Sequence, residues 1–400
     1  MRDLIYLFAG CLIALVITAR TIPTLIRVSH QLKLFAVPNG RSATIYKIPT
    51  LGGISIFLGF ILGVTLSSNG YFMPETVYFI AAVLIMFFVG LKDDVVSLSA
   101  NKKLAMEIAV AAILIFLGHF RFTSLHGFLG IETIPFPVSV LLTGFVYIVM
   151  INAFNLVDGI DGLAAGLGII SASVFGIWFF LAGHIEMSII SFSLVGGLAG
   201  FFLYNVYGKK NKIFMGDTGS LVLGTIMAVL MIQFNEYNID RSAPYAIYSS
   251  PAVSFGILIY PLMDTIRVFF IRIVQKKSPF VADKNHTHHR LLALGLNHRQ
   301  ATYTILSANV LFSLTVMNIN WIGIIWLMAF NIMAGGLLLL LPSYLLSTKN
   351  KISENDPHQQ IMIFSNRERN PPKVKKNTSD SAPVRITKII VEKFQQISFW

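Results

Sequence analysis

Charge is scarce in this chain: 12% of its 400 residues are Asp, Glu, Lys or Arg, where a soluble domain carries about 25%. With 55% hydrophobic residues, that shortage excludes an ordinary soluble domain and leaves an integral membrane protein. Cysteine is nearly absent as well. The single Cys11 excludes an intrachain disulfide and, lying inside the first apolar run, reads as a packing residue. No Walker A sequence occurs, and no Gly-x-Gly-x-x-Gly stands where a dinucleotide fold requires it. A soluble nucleotide-binding domain is therefore excluded, and any nucleotide must bind on the membrane protein itself. No internal repeat is evident. The formal charge of +12 does not make nucleic acid a partner; on so apolar a chain it reflects inner loops that face anionic lipid.

What is abundant is apolar sequence. Eleven runs fill the chain up to residue 346, at 4–26, 50–67, 76–91, 104–119, 136–154, 163–182, 188–207, 219–234, 251–271, 302–319 and 321–346. A membrane-spanning helix needs roughly 20 such residues. The expected fold is thus all-α, a polytopic integral membrane protein with about 11 transmembrane helices. The first run is read as a retained span rather than a signal peptide, because Arg20 and Arg27 follow its apolar core without a small-residue cleavage site. Lysine and arginine are missing from alternate loops. Those after the even-numbered runs hold only Arg121 and Arg241. Those after the odd-numbered runs hold Arg27, Lys33, Arg41 and Lys47, then Lys92, Lys102 and Lys103, then Lys209, Lys210 and Lys212. The ninth adds Arg272, Lys276, Lys277, Lys284, Arg290 and Arg299. The positive-inside rule places these loops in the cytoplasm, the N-terminus outside and the C-terminus inside.

Residues 347–400 change character, with ten Lys and Arg against five Asp and Glu. They read as a basic cytoplasmic tail separate from the transmembrane unit 1–346 and attracted to anionic lipid. Ile386, Ile389, Ile390, Phe394 and Ile397 form a stripe that suits a helix on the membrane surface or docked on the protein. Within the spans, Gly59/Gly63, Gly162/Gly166 and Gly196/Gly200 have the spacing of close helix packing in lipid.

Four polar clusters fall in loops assigned to the cytoplasm. Asn152-Ala153-Phe154-Asn155-Leu156-Val157-Asp158-Gly159-Ile160-Asp161-Gly162 places carboxylates and amides between two apolar runs, where ionisable groups mark a site more often than a scaffold. Asn155, Asp158 and Asp161 recur every three residues and share a face if helical. An ordinary helix-breaking turn is the plain alternative. Asp93-Asp94 are adjacent carboxylates that require compensation by a divalent metal, a metal-bound phosphate, or Lys102 and Lys103; otherwise they form a solvated cap. Phe214-Met215-Gly216-Asp217-Thr218-Gly219-Ser220 suits a hard cation holding phosphate oxygens at a helix start, or a simple N-cap. Asp283-Lys284-Asn285-His286-Thr287-His288-His289-Arg290 could hold zinc. However, its surrounding Lys and Arg favour an anion such as pyrophosphate, with a solvated basic loop as the bland reading. Carboxylates and cations gathered on one side of a bilayer form the inventory of metal-assisted phosphoryl transfer.

In this order the motifs resemble the polyprenyl-phosphate N-acetylhexosamine-1-phosphate transferases, the WecA/TagO/MraY superfamily of glycosyltransferase family 4. The resemblance runs over roughly residues 20–300. It adds Pro49-Thr50-Leu51-Gly52-Gly53, Leu98-Ser99 with Lys103, Pro261-Leu262-Met263-Asp264-Thr265, and Ser278-Pro279-Phe280 leading into the histidines. The His-x-His-His form looks like the branch that uses UDP-N-acetylglucosamine or related amino sugars; the peptidoglycan-precursor branch has three consecutive histidines. The sequence departs from the pattern in its longer, basic link Tyr207–Lys212 and in Arg41-Ser42-Ala43.

The resemblance implies transfer of a phospho-N-acetylhexosamine from its UDP form to undecaprenyl phosphate, with release of UMP and with Mg²⁺ as cofactor, Mn²⁺ being the substitute. It implies catalytic roles for Asp93, Asp94 and Asp217, metal ligation by Asp217 with Asp94, and nucleotide or sugar binding by Asn155, Asp158 and Asp161. Lys103, His286, His288, His289 and Arg290 would bind phosphate. Membrane lipid is a further partner and a second copy of the chain a candidate one. The implied location is the bacterial inner membrane, with the active site facing the cytoplasm. Transfer of phospho-MurNAc-pentapeptide or a rarer amino sugar is the alternative within the superfamily. A secondary transporter is the alternative outside it, and would place carboxylates near mid-span in a repeated architecture.

Overall fold

A computed structural model of the chain describes residues 2–32, 48–68, 71, 73–209, 211–274 and 287–354, and each of the eleven apolar runs is mostly helical. The helices are α1 (Arg2–Leu32), α2 (Gly52–Ser67), α3 (Thr76–Val96), α4 (Ala100–Ala112), α5 (Phe136–Val157), α6 (Leu163–Leu181) and α7 (Ile185–Tyr207). They continue with α8 (Gly216–Glu236), α9 (Ser250–Ile257), α10 (Ile259–Val274), α11 (Thr287–Ala293), α12 (His298–Asn318) and α13 (Ile324–Glu354). Among the described residues six helices, α1, α5, α6, α7, α8 and α13, are long and apolar enough to cross a membrane, and α2 is a shorter apolar helix. In hydrocarbon each backbone N–H and C=O must be satisfied within its own segment, which is why long apolar runs become helices. The molecule is an all-α membrane protein. The helical bundle forms one compact unit up to Leu346. The stripe Ile386 to Ile397 lies outside the described residues.

The bundle is built around α8. Its apolar stretch is 89% buried, against 28% for α1 and 22% for α13, so α8 is wrapped on all sides by α2, α3, α5, α6 and α9. A helix apolar all round belongs in the centre of such a bundle. Glycines set the spacing. A Cβ added at Gly53 of α2 would stand 2.1 Å from the Gly219 nitrogen, one at Gly90 of α3 would meet the Thr218 Cα at 2.5 Å, and one at Gly224 would meet Ile151 Cα at 2.6 Å. The Gly59/Gly63 and Gly196/Gly200 spacings pack against α1, as expected of small residues between helices in lipid.

Three features were not expected from the sequence. An antiparallel hairpin, β1 (Ser124–Phe128) and β2 (Ile131–Thr133), separates α4 from α5. It is tied to the C-terminal end of α8 through the Thr123 N–H and hydroxyl, which donate to the Glu236 carboxylate at 2.8 and 2.7 Å. The run 104–119 ends in a π-helical turn, Ile113–Leu117, closed by a bond from the Gly118 N–H to the Ile113 carbonyl. The run 251–271 is broken at Leu258 into α9 and α10. The cause is Pro261, which has no N–H to give the Ile257 carbonyl four residues earlier. Ser171 and Asn309 side chains donate to that carbonyl instead, at 3.3 and 3.2 Å, so the break stays satisfied inside the bundle.

Candidate active site

The N-terminal end of α8 carries Asp217, and its neighbours fix that end from three directions. No side chain of α8's own caps it. Asp94, at the end of α3, accepts the Asp217 and Thr218 N–H groups at 2.8 and 2.9 Å and the Thr218 hydroxyl at 2.6 Å. A carboxylate at a helix N-terminus satisfies orphan donors and the positive end of the helix dipole at once. Both oxygens of Asp94 are thereby occupied, and in place of the solvated cap that the sequence offers, this residue caps a neighbouring helix. From α2 comes a backbone clamp: the Phe214 N–H donates to Pro49, while Gly52 and Gly53 donate to the Phe214 and Met215 carbonyls at 2.9 and 2.8 Å. Gly216 completes the turn at φ +70°, with the Thr50 carbonyl and the Asp94 carboxylate where a side chain would stand.

Lys103, in the first turn of α4, bridges two carboxylates. Its Nζ lies 3.0 Å from Asp93 Oδ2 and 3.1 Å from Asp217 Oδ1. Asp93 also accepts the Leu98 N–H at 2.5 Å and so fixes the α3–α4 turn that carries the lysine, where Ser97 adopts φ 56°. The three side chains are only 16%, 10% and 32% exposed, which shields the cluster from solvent screening. On the other side Asn155 of α5 donates its amide to Asp217 and, at 2.9 Å, to the Ser220 hydroxyl.

Asp158 follows the last turn of α5. Burial, reinforced by the charges of Asp217, Asp94 and Asp161, pushes its carboxyl well above the usual carboxylate range. Asp161 is held differently. Lys212 from the basic link pairs with it at 2.6 Å, His298 at the start of α12 stands 3.9 Å away, and the Thr302 hydroxyl donates to its backbone carbonyl at 2.7 Å. Asn205 locks the same turn, accepting the Gly162 N–H at 2.5 Å and donating to the Ile213 carbonyl at 2.8 Å. Together these residues line a pocket of about 330 Å³ that takes in Asp94, Asn155, Asp158, Gly159, Asp161, Asn205, Phe214, Asp217 and His298.

The sequence-predicted residues therefore converge unevenly. Asp94, Asn155, Asp158, Asp161 and Asp217 line the pocket, and Asp93 and Lys103 join it through the Lys103 bridge. His288 packs its ring on Gly159, leaving 2.4 Å between Nε2 and a Cβ built there, and stacks obliquely on His289 at 4.4 Å. Asp264 of the Pro261–Thr265 motif anchors this helix by accepting the Thr287 N–H and hydroxyl at 3.1 and 2.8 Å. Arg290 does not line the pocket; its guanidinium donates to Ser343 of α13. His286 lies outside the described residues. Sequence reasoning overlooked His298, which no local motif marks, and did not foresee the structural work of Asn205 and the Pro49–Gly53 clamp.

Among the described residues no three His, Cys, Asp or Glu side chains form a metal cage. Mg²⁺ does not require one, since it is held by one or two carboxylates with waters and substrate phosphates. The oxygen donors of Asp217 and Asp158 at a common pocket fit that habit.

Residues 76–235, from α3 to the end of α8, match the sequence model of glycosyl transferase family 4. The undecaprenyl-phosphate alpha-N-acetylglucosaminyl 1-phosphate transferase of Escherichia coli (strain K12) is 30% identical over 73% of this chain and 78% of its own. The probable undecaprenyl-phosphate N-acetylglucosaminyl 1-phosphate transferase of Bacillus subtilis (strain 168) is 30% identical over 82% of this chain and 88% of its own. The Yersinia pestis protein with the former name is 29% identical over 78% and 82%. The parts of the Asp217 pocket carried by α3, α5 and α8 lie inside the matched segment, Thr50 and His298 outside it, and the chain belongs to glycosyl transferase family 4.

Proposed function

We propose that this protein transfers N-acetylglucosamine-1-phosphate from UDP-N-acetylglucosamine to undecaprenyl phosphate, releasing UMP. The observation that carries the reading is the Lys103 bridge between Asp93 and Asp217, the latter lining a carboxylate-rich pocket, in a chain whose relatives bear that activity in their names. An oxygen of the lipid phosphate attacks the β-phosphorus of the donor, and the bridging oxygen leaves with UMP. The acceptor phosphate has a second pKa of about 6, so it arrives largely deprotonated and needs positioning more than a strong base.

Lys103 supplies fixed positive charge beside the reacting phosphates, and Asp93 holds that lysine in place. Asn155 orients the Asp217 carboxylate. Asp217 and Asp158 would hold Mg²⁺, with Asp94 fixing the helix that presents Asp217. When bound, the ion neutralises phosphate oxygens and stabilises charge in the transition state. The eleven apolar runs and their alternating basic loops support eleven spans, the N-terminus outside, and a pocket that opens to the cytoplasm from a bacterial inner membrane. The clustering of carboxylates at one end of the bundle favours an enzyme over a transporter, which would carry them at mid-span.

Membranes containing the protein are expected to release UMP from UDP-N-acetylglucosamine only when undecaprenyl phosphate and Mg²⁺ are both supplied. Absence of UMP with every UDP-amino sugar tried would sink the enzyme reading. Turnover confined to UDP-MurNAc-pentapeptide would move the chain to the other branch.

A further inference from the structure

We infer that His298, the first residue of α12, reads the nucleoside half of the donor. The inference rests on the proposed transfer reaction, which places the diphosphate at the Asp217 end of the pocket. The other half of the pocket is lined by Ile160, Asp161, Asn205, Phe214 and His298. Most of its polar groups are already engaged. Asp161 is paired with Lys212, whose Nζ also lies 5.5 Å from the Phe214 ring, and both ends of the Asn205 amide are bonded to backbone. His298 stands 3.9 Å from Asp161, beyond hydrogen-bond distance, and among the described residues its ring forms no hydrogen bond. Its side chain is 54% exposed and lines the pocket, with Nδ1 on the Asp161 side of the ring.

The ring is also well placed in advance. Asn297 and Gln300 form a reciprocal capping box with bonds of 2.9 Å on either side of it. Arg299 donates to the Val206 carbonyl at 3.0 Å and lies over the Tyr207 ring, and Thr302 bonds the Asp161 carbonyl. The first turn of α12 is thereby fastened to the end of α7 and to the Asp158–Gly162 turn. A hexose would need partners for several hydroxyls, which this half of the pocket does not offer. A flat pyrimidine needs an apolar wall and a few in-plane hydrogen bonds, which Ile160, Phe214 and the His298 ring can supply.

The test is a calorimetric titration of UMP, which carries the nucleoside and no sugar, into the full-length detergent-solubilised protein with Mg²⁺, alongside steady-state kinetics. His298→Ala is expected to weaken UMP binding about tenfold, the effect of one lost hydrogen bond. It should raise KM for the UDP-sugar in parallel, leaving KM for undecaprenyl phosphate and the thermal midpoint unchanged. His298→Gln, which keeps in-plane donors and acceptors, should recover most of the loss. Unchanged UMP affinity in His298→Ala overturns the inference, as does a raised donor KM without any change in UMP affinity, which would assign the residue to the sugar. Wild-type protein that binds UMP in a His298-dependent way yet never turns over would count against the transfer reaction and leave the inference standing.

Discussion

Lys103 touches two carboxylates, Asp93 and Asp217, at 3.0 and 3.1 Å, and these two also repel each other directly. Removing it leaves like charges partly buried, a change worth several kcal/mol when no solvent reaches the site and less here because Asp217 is one-third exposed. Lys103→Met is therefore expected to lower kcat by about 100- to 1,000-fold, the usual result of deleting a preorganised charge at a transition state. Lys103→Arg should recover only part, since a guanidinium cannot place one point charge between both oxygens. Undiminished UMP release by Lys103→Met would remove the lysine from the chemistry. Asp158 makes a prediction of a different kind. Its carboxyl is raised mainly by burial, so the folded chain prefers it neutral. That preference stabilises the fold fully at pH below the ordinary carboxylate range and is lost as pH rises toward the raised value. Asp158→Asn cannot ionise and should gain in thermal midpoint over the wild type as pH increases, measured in EDTA. Mg²⁺ should narrow the gap by stabilising the charged form; a pH-independent difference would contradict the assignment.

At the scale of elements, the site depends on how α3 holds α8. Asp94 and Asp217 differ by 123 positions yet share the first turn of one helix through three hydrogen bonds. This separates capping from ligation experimentally. Asp94→Asn keeps the shape but loses the charge that favours the helix end and turns one of the two accepting oxygens into a donor facing an N–H, an effect of about 1–3 kcal/mol. It should lower the thermal midpoint while leaving the Mg²⁺ concentration for half-maximal rate within roughly twofold. Asp217→Asn should abolish turnover and Mg²⁺-dependent stabilisation in a folded protein. If Asp94→Asn instead shifts the Mg²⁺ requirement as strongly as it lowers rate, the residue is a ligand after all. A cap supplied from another helix is invisible to sequence reading, because Met215-Gly216-Asp217-Thr218 shows only that some cap is needed. For the same reason His298 went unmarked: a lone histidine at a helix start has no local signature, and only the packing of α12 on the Asp158–Gly162 turn brings it to the pocket. Asn155, Asp158, Asp161 and Asp217 line one pocket, but not through a shared helical face: α5 ends at Val157, and Asp158 and Asp161 sit in the turn that follows it.

At the scale of the whole molecule, hydropathy marks helices reliably because the bilayer demands that every backbone group be bonded within its segment. It cannot reveal a five-residue strand such as Ser124–Phe128, nor a break compensated by distant Ser171 and Asn309. The same basic-residue asymmetry that orients the spans makes a prediction about the two ends of α8. The hairpin is tied to Glu236 at one end, and the link leading into Gly216 lies at the other, so the two must fall on opposite sides of the membrane if α8 crosses it. The chain's single cysteine makes this easy to examine. In a Cys11→Ala background, Leu129→Cys at the exposed hairpin tip should react with a membrane-impermeant maleimide in intact spheroplasts. Asn211→Cys, in the exposed link before α8, should react only after permeabilisation. Reversal of the two patterns would put the Asp217 pocket on the outer face, away from cytoplasmic UDP-sugars, and labelling of both from one side would mean that α8 does not span the bilayer.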